Sequence, residues 1–166
     1  KLVFRNGDEY CGDWLEDKRH GQGEQKWAHD GSTYIGSWVQ DGIEGEGQYN
    51  LGDGTVYVGT FAAGVLNGQG KFTSPDGEEY EGNWFSGKKH GVGTYRFSNG
   101  NVYVGEFSFD AMQGKGKMTY TNGDYYNGDW SENNRCGRGE GVLHLPDGSV
   151  YTGTFLDCLA DGFGVM

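Results

Sequence analysis

The 166-residue sequence predicts an all-β chain: an elongated, single-layer antiparallel ribbon of tandem β-hairpins, solenoid-like and twisting right-handedly. Three observations predict it: a high glycine content, an apolar complement dominated by aromatic rings, and a repeat of near-constant period. Glycine accounts for 33 residues, roughly three times the usual share of about 7%. The longest glycine-free runs, such as residues 13–20, are shorter than a mean helix, and each interior glycine costs a helix roughly 1 kcal/mol. Apolar residues make up 34% of the chain and aromatics 15%, so burial rests on Tyr, Trp and Phe.

The repeat begins with Tyr-x-Gly-x-Trp/Phe. Its tyrosines are Tyr10, Tyr34, Tyr57, Tyr80, Tyr103, Tyr126 and Tyr151, at steps of 24, 23, 23, 23, 23 and 25 residues. Glycine follows two residues later, and Trp14, Trp38, Phe61, Trp84, Phe107, Trp130 or Phe155 two further on. Alternate strand residues share a face, so tyrosine, glycine and the second ring project together. A Gly-x-Gly pair follows (Gly21/Gly23 in the first unit, Gly162/Gly164 in the last), then alternating apolar residues such as Tyr49 and Leu51, Tyr95 and Phe97, Met118 and Tyr120, Leu143 and Leu145. These predict a second strand of the same parity. Asp-Gly or Asn-Gly precedes each tyrosine strand, from Asn6-Gly7 to Asp147-Gly148, and signals a tight turn. Each unit therefore reads as a hairpin, and short connections pair neighbours in chain order. Glycine between two rings leaves a trough over which a neighbouring strand's ring can lie. With one layer, part of the ring area is expected to stay exposed.

The Tyr-x-Gly-x-Trp/Phe core with its downstream Gly-x-Gly resembles the MORN repeat (membrane occupation and recognition nexus), over seven units spanning Gly7 to Gly164. The whole chain, residues 1–166, reads as one array with units near 7–30, 31–53, 54–76, 77–99, 100–122, 123–147 and 148–166. Repeat two starts one residue late. Glu140 and Gly141 are two extra residues that read as a bulge or bend, or as a surface loop. Trp and Phe alternate from Trp38 to Phe155. Val56, Val102 and Val150, with Val58 and Val104, mark the Phe copies and point to the reverse side. Both β-propensity and partner contact account for those valines.

Composition excludes several classes. Two prolines and no Gly-X-Y period exclude collagen, and the aromatic content argues against a disordered linker. The longest apolar stretch, residues 61–66, falls far short of the roughly 20 residues that span a bilayer. Lys1 is not an initiator methionine, so the chain reads as a piece of a longer one. Cys11, Cys136 and Cys158 make no disulfide framework, which favours a reducing, intracellular setting. A net charge of −11 has the wrong sign for nucleic acid. No zinc-protease, phosphate-loop or nucleophile-elbow signature occurs, and the glycine pairs lack the third glycine of a dinucleotide fingerprint. No catalytic residue, cofactor or metal site is predicted, although Cys136, His144 and Cys158 leave open a zinc ion bridging two chains.

The resemblance implies a non-enzymatic intracellular scaffold that binds partner proteins and self-associates, cytoplasmic and cytoskeleton-associated or membrane-proximal. Its aromatic face, Tyr34, Trp38, Tyr57, Phe61, Tyr80, Trp84, Tyr103, Phe107, Tyr126 and Trp130, is the predicted partner-binding surface for a helix or extended peptide. Packing within the chain is the alternative role of those rings. Tyr151, Phe155 and Phe163 in the last repeats are the predicted self-association residues of a homodimer. Lys18, Arg19, Lys88 and Lys89 read either as solvated loop tips or as contacts to acidic lipid headgroups. A phosphoinositide-binding module and a regulatory arm of a larger enzyme are the competing functions.

Overall fold

The computed structural model describes residues 1–145, 147–156 and 159–160. Every regular element among them is a β-strand. The chain divides into two units, Lys1–Lys88 and Lys89–Met166. The first holds β1 (Leu2–Val3), β2 (Glu9–Leu15), β3 (Lys18–Lys26), β4 (Thr33–Val39), β5 (Gly42–Asn50), β6 (Val56–Ala62), β7 (Val65–Thr73) and β8 (Glu79–Phe85). The second holds β9 (Lys88–Arg96, less its first residue), β10 (Val102–Ser108), β11 (Ala111–Thr119), β12 (Tyr125–Ser131), β13 (Asn134–His144), β14 (Val150–Leu156) and β15 (Leu159–Ala160). Within each unit every strand pairs antiparallel with its neighbours in the chain, so each is a single-layer meander.

Two kinds of turn alternate. The Asn-Gly and Asp-Gly signals sit between repeats, in three-residue loops: Phe4 N–H donates to Asp8 O at 2.8 Å and Gly7 N–H to Phe4 O at 3.0 Å, with Gly7 at φ 87°. The Asx side chain fixes the loop by accepting the N–H two residues on, as Asp53 does from Thr55 at 2.8 Å. The tighter two-residue turns lie inside the hairpins of the first six repeats, where the sequence carries no such signal. Both central residues there have positive φ, and most are not glycine: Glu16-Asp17, Gln40-Asp41, Phe109-Asp110 and Glu132-Asn133. That is the twist-matched hairpin turn, held here against local preference.

A bulge in the hairpins sets the stage for the rings. Gly12 pairs with Gly23, but Trp14 pairs with Arg19, so β3 carries three residues where β2 carries one. The pattern recurs at Gly36/Trp38 and Gly59/Phe61. Each trough is formed by two facing glycines, Gly12 with Gly23, Gly36 with Gly47, Gly105 with Gly116 and Gly128 with Gly139. The tyrosine of the same repeat lies along it: a methyl group on Gly23, Gly47, Gly116 or Gly139 would overlap the ring of Tyr10, Tyr34, Tyr103 or Tyr126. The hydroxyl then donates to the carbonyl three residues on, Tyr10 to Asp13 at 3.0 Å and Tyr103 to Glu106 at 3.1 Å. The covering ring thus comes first from the same strand, where the sequence suggested a neighbouring strand.

Trp38, Trp84, Trp130 and Phe155 each pack edge-to-face between two tyrosines. Trp38 lies 5.5 Å from Tyr10 and 5.4 Å from Tyr34, and Trp130 lies 5.1 Å from Tyr103 and 5.6 Å from Tyr126. The indole N–H of these tryptophans also reaches back to the preceding repeat. Trp38 donates to Gly23 O at 3.2 Å, Trp84 to Gly70 O and Trp130 to Gly116 O, each at 2.9 Å. Phenylalanine makes no such bond, so the Trp/Phe alternation marks pairs of repeats joined by an indole. Each unit thereby gains its own core: Tyr10, Tyr34 and Tyr80 in the first and Tyr103 and Tyr126 in the second are fully buried, with Trp38, Phe61 and Trp84, and Phe107 and Trp130, nearly so.

The irregular repeats resolve differently from one another. The extra residue before repeat two lengthens its loop, where Trp27 N–H donates to Ser32 O and Gly31 N–H to Trp27 O. Glu140 and Gly141 make neither a bulge nor a loop; they extend β13 to 11 residues. Gly139 faces Gly128 on one side and Phe155 on the other, so the seventh tyrosine strand is shifted by two residues against the earlier pattern.

The trough predicts a steep contrast between glycines. Gly116→Ala pushes a methyl into the Tyr103 ring and is expected to cost about 2–3 kcal/mol. Gly31→Ala, with nothing within 4 Å, pays only for its φ of 74°, about 1 kcal/mol; urea midpoints measure both. Burial, and secondarily the Glu106 carboxylate, holds the Tyr103 phenol above its ordinary value, and burial also raises Tyr10 and Tyr34. Because the unfolded phenol ionises first, stability is full below about pH 10 and falls as pH rises beyond it. Tyr103→Phe should lose about 1 kcal/mol at neutral pH from the missing hydrogen bond and show a shallower alkaline decline in the same denaturation series.

Candidate functional site

Beyond each trough the second strand carries one or two further apolar residues on the ring-bearing side. Trp27, Tyr49, Leu51, Phe72, Tyr95, Phe97, Tyr120, Leu143 and Leu145 are all half-buried. Of the ten rings predicted to grip a partner, nine form the buried core and only Tyr57 is half-buried. The burial has a simple cause, since rings lying flat along glycine troughs cover one another without a second layer. Those ten are the floor of the aromatic face, and the half-buried second-strand residues are its more exposed part. The sequence shows their alternation, but alternation alone does not tell a half-buried residue from a buried one.

The mouth of this face is set by a feature the sequence reading missed, the second residue of each two-residue turn. Asp41, Gly64, Gly87, Asp110 and Asn133 donate their backbone N–H to the carbonyls of Arg19, Ile43, Leu66, Lys89 and Met112 in the preceding hairpin, at 2.8–3.1 Å. Where the residue has a side chain, the oxygen returns the contact: Asp41 accepts Arg19 N–H at 2.9 Å, Asp110 accepts Lys89 N–H at 2.9 Å and Asn133 accepts Met112 N–H at 2.8 Å. The only available signal is a recurrent Asp, Asn or Gly at that position.

These contacts decide the fate of the basic residues. Arg19 and Lys89 lie in strands on the aromatic face and are not solvated loop tips. Arg19 Nε donates to Asp41 at 3.1 Å, Nη1 donates to Gln25 at 2.9 Å, and the guanidinium sits 4.4 Å from the Trp38 ring. Hydrogen bonds from the Arg19 backbone and side chain hold the Asp41 carboxyl below its ordinary range. Lys89 sits 4.0 Å from Asp110 and 4.8 Å from the Tyr95 ring. Lys18 and Lys88 are exposed.

Asp124, 7% exposed, accepts the backbone N–H of His144 at 2.6 Å and faces its Nδ1 at 2.6 Å. Burial pushes its carboxyl upward, but the hydrogen bonds from His144 and Asn122 outweigh that and leave it lowered. Cys11 is exposed and Cys136 half-buried, both as free thiols, and among the described residues no three His, Cys, Asp or Glu side chains converge on a metal position. Among the same residues no helix is long and apolar enough to cross a membrane. Of the predicted self-association residues, Tyr151 is half-buried and Phe155 buried, while Phe163, like Cys158, lies outside the described residues. On the reverse side Val58, Val104 and Val150 are exposed, and Val56 and Val102 half-buried.

No curated protein matches the chain. Among solved structures, the TCP domain of SAS-4 (dCPAP) of Drosophila melanogaster, in complex with a proline-rich motif of Ana2 (dSTIL), is similar at 14% identity over 89% of this chain and 78% of that one, with a TM-score of 0.49. The TCP10 domain of Danio rerio CPAP is similar in two structures. The one with a STIL peptide has 16% identity, 89% and 78% coverage and a TM-score of 0.29; the other has 18%, 99% and 85%, and 0.28. At such values the likeness says nothing of what this chain binds. The model of the MORN repeat matches residues 10–28, 34–56, 57–79, 80–102, 103–125 and 126–150, six of the seven units, and the chain belongs to the MORN repeat family.

Proposed function

We propose that the chain is a non-enzymatic, protein-binding scaffold whose partners dock on the aromatic face. One observation carries this reading: in each unit half-buried aromatic and aliphatic side chains, Trp27, Tyr49 and Leu51 in the first and Tyr95, Phe97 and Tyr120 in the second, stand over a floor of buried rings. Rigid aromatic anchors on a fixed backbone lose little entropy on binding and are the residues most often found at binding hot spots. Membership of a repeat family adds a second support, because stacked units present one extended surface. The lipid-binding alternative draws no support from Arg19 and Lys89, whose charges are met by Asp41 and Asp110.

Self-association through the last repeats, and a place at cytoskeletal or membrane-apposed structures, belong to the same proposal. Tyr151 keeps part of its ring exposed at that end. Light scattering over a wide concentration range tests the pairing, and one unchanging monomer mass would remove it.

For partner binding, the intact chain is compared in quantitative pull-downs with two variants of unchanged circular dichroism. Tyr49→Ala/Tyr95→Ala/Tyr120→Ala should lose retained partners by about tenfold. Val58→Ser/Val104→Ser on the reverse side should retain them. The opposite pattern would place binding on the reverse side and end the proposal.

A further inference from the structure

Repeat three departs from its neighbours although its motif is intact. A methyl group on Gly70 would meet Leu66 Cδ2 at 3.2 Å and Trp84 Cδ1 at 3.0 Å, where the other described troughs present a tyrosine ring. Leu66, 3% exposed, fills the trough, and Tyr57 has swung out beside Phe72 (5.4 Å) and Trp84 (6.1 Å). The turns over this trough are Ala63-Gly64 and Ser86-Gly87. At the corresponding junctions Asp17 with Asp41, and Asp110 with Asn133, line the opening. Here Gly64 and Gly87 carry no side chain to close it.

The outcome is an open cleft of about 270 Å³ walled by Tyr49, Leu51, Tyr57, Phe61, Leu66 and Trp84, with Gly64, Val65 and Gly87 at its mouth and no charged side chain in its lining. That is just below the roughly 300–1,000 Å³ of small-molecule sites and suits one large side chain. The surrounding unit is acidic: residues 1–88 hold 15 of the 24 carboxylates but only 7 of the 13 basic side chains. Negative surroundings around an uncharged cleft favour an incoming cation on either side of an apolar anchor.

We propose that this cleft is the anchor point of the aromatic face, and that its occupant is a partner peptide segment inserting one large apolar side chain flanked by lysine or arginine. The inference rests on the scaffold reading above. Specificity comes from the missing turn side chains, since the same backbone with Asp or Asn at the second turn position carries polar groups at the opening.

The tripeptide Lys-Trp-Lys, amidated and acetylated, is a direct probe in an amide-resolved NMR titration. Saturable shifts are expected at Gly64 and Gly87, and Glu-Trp-Glu at the same low ionic strength should bind about fivefold more weakly. Gly64→Asn/Gly87→Asn gives both turns the residue that Asn133 already carries at φ 67°, with open space at Gly64 and only Val65 near Gly87. The fold and melting temperature should hold while Lys-Trp-Lys affinity drops about tenfold. Shifts confined to Tyr95, Phe97 and Tyr120, equal binding of the acidic tripeptide, or undiminished affinity in the double variant would each overturn the anchor. Pull-down partners that survive Gly64→Asn/Gly87→Asn but are lost with Tyr49→Ala/Tyr95→Ala/Tyr120→Ala would overturn the anchor and leave the scaffold reading standing.

Discussion

The structure depends on one steric constraint: two glycines face each other across a hairpin so that a tyrosine ring can lie flat on bare backbone, as for Tyr10, Tyr34, Tyr103 and Tyr126. A sheet with no second layer has nothing opposite to pack against, and the usual route to burial, facing side chains interdigitating between layers, is closed to it. Removing two β-carbons lowers the local floor enough for the ring to sink into the sheet itself. The phenol hydroxyl then finds a carbonyl at the bulge, three residues on, so burial leaves no polar atom stranded. Glycine, bulge and tyrosine are a single device, and none of the three explains the fold without the others.

Stacking between repeats follows from that device. Once a tyrosine is flat, its exposed edge and face are available to the second ring of its own repeat and to that of the next, which gives edge-to-face contacts on both sides of Tyr10, Tyr34, Tyr103 and Tyr126. Hydrogen bonds run beside the rings at both margins. On one side the two-residue turns dock on the preceding hairpin; on the other, Asp8, Asn101 and Asp124 accept N–H groups of Ala28, Thr121 and His144 about one repeat later. Neighbour contacts of this kind are what let a repeat array be stable without long-range packing.

Much of this was legible in the residues themselves. Strict period two in Tyr-x-Gly-x-Trp/Phe put the rings on one face, and Asp-Gly or Asn-Gly marked every connection between repeats. Three things were hidden. The two-residue turns use residues such as Gln40-Asp41, whose positive φ is imposed by strand twist and by docking on the preceding hairpin, forces that no local preference records. Burial of nine of the ten rings was obscured because exposure was inferred from the lack of a second layer, while lateral cover by neighbouring rings depends on how flat each tyrosine lies. The displaced Tyr57 was the least visible, since its own motif is intact and the cause lies nine residues on, where Leu66 competes for the trough.

That competition shows how an array of similar units acquires distinct places along its length. The facing glycines recur, but the second residue after each turn and the second residue within the next repeat's turn vary: Arg19 with Asp41, Ile43 with Gly64, Leu66 with Gly87, Lys89 with Asp110, Met112 with Asn133. A long cation at the first position is tied down by the acid at the second and lies over a ring, which leaves the tyrosine in its trough. Leu66 at the first position enters the trough instead, and Gly87 at the second leaves the space above it open, whereas Ile43 with Gly64 leaves Tyr34 in its trough. Two positions per repeat, neither part of the motif that defines the fold, therefore vary the character of a junction, and at Leu66 with Gly87 it is apolar and open.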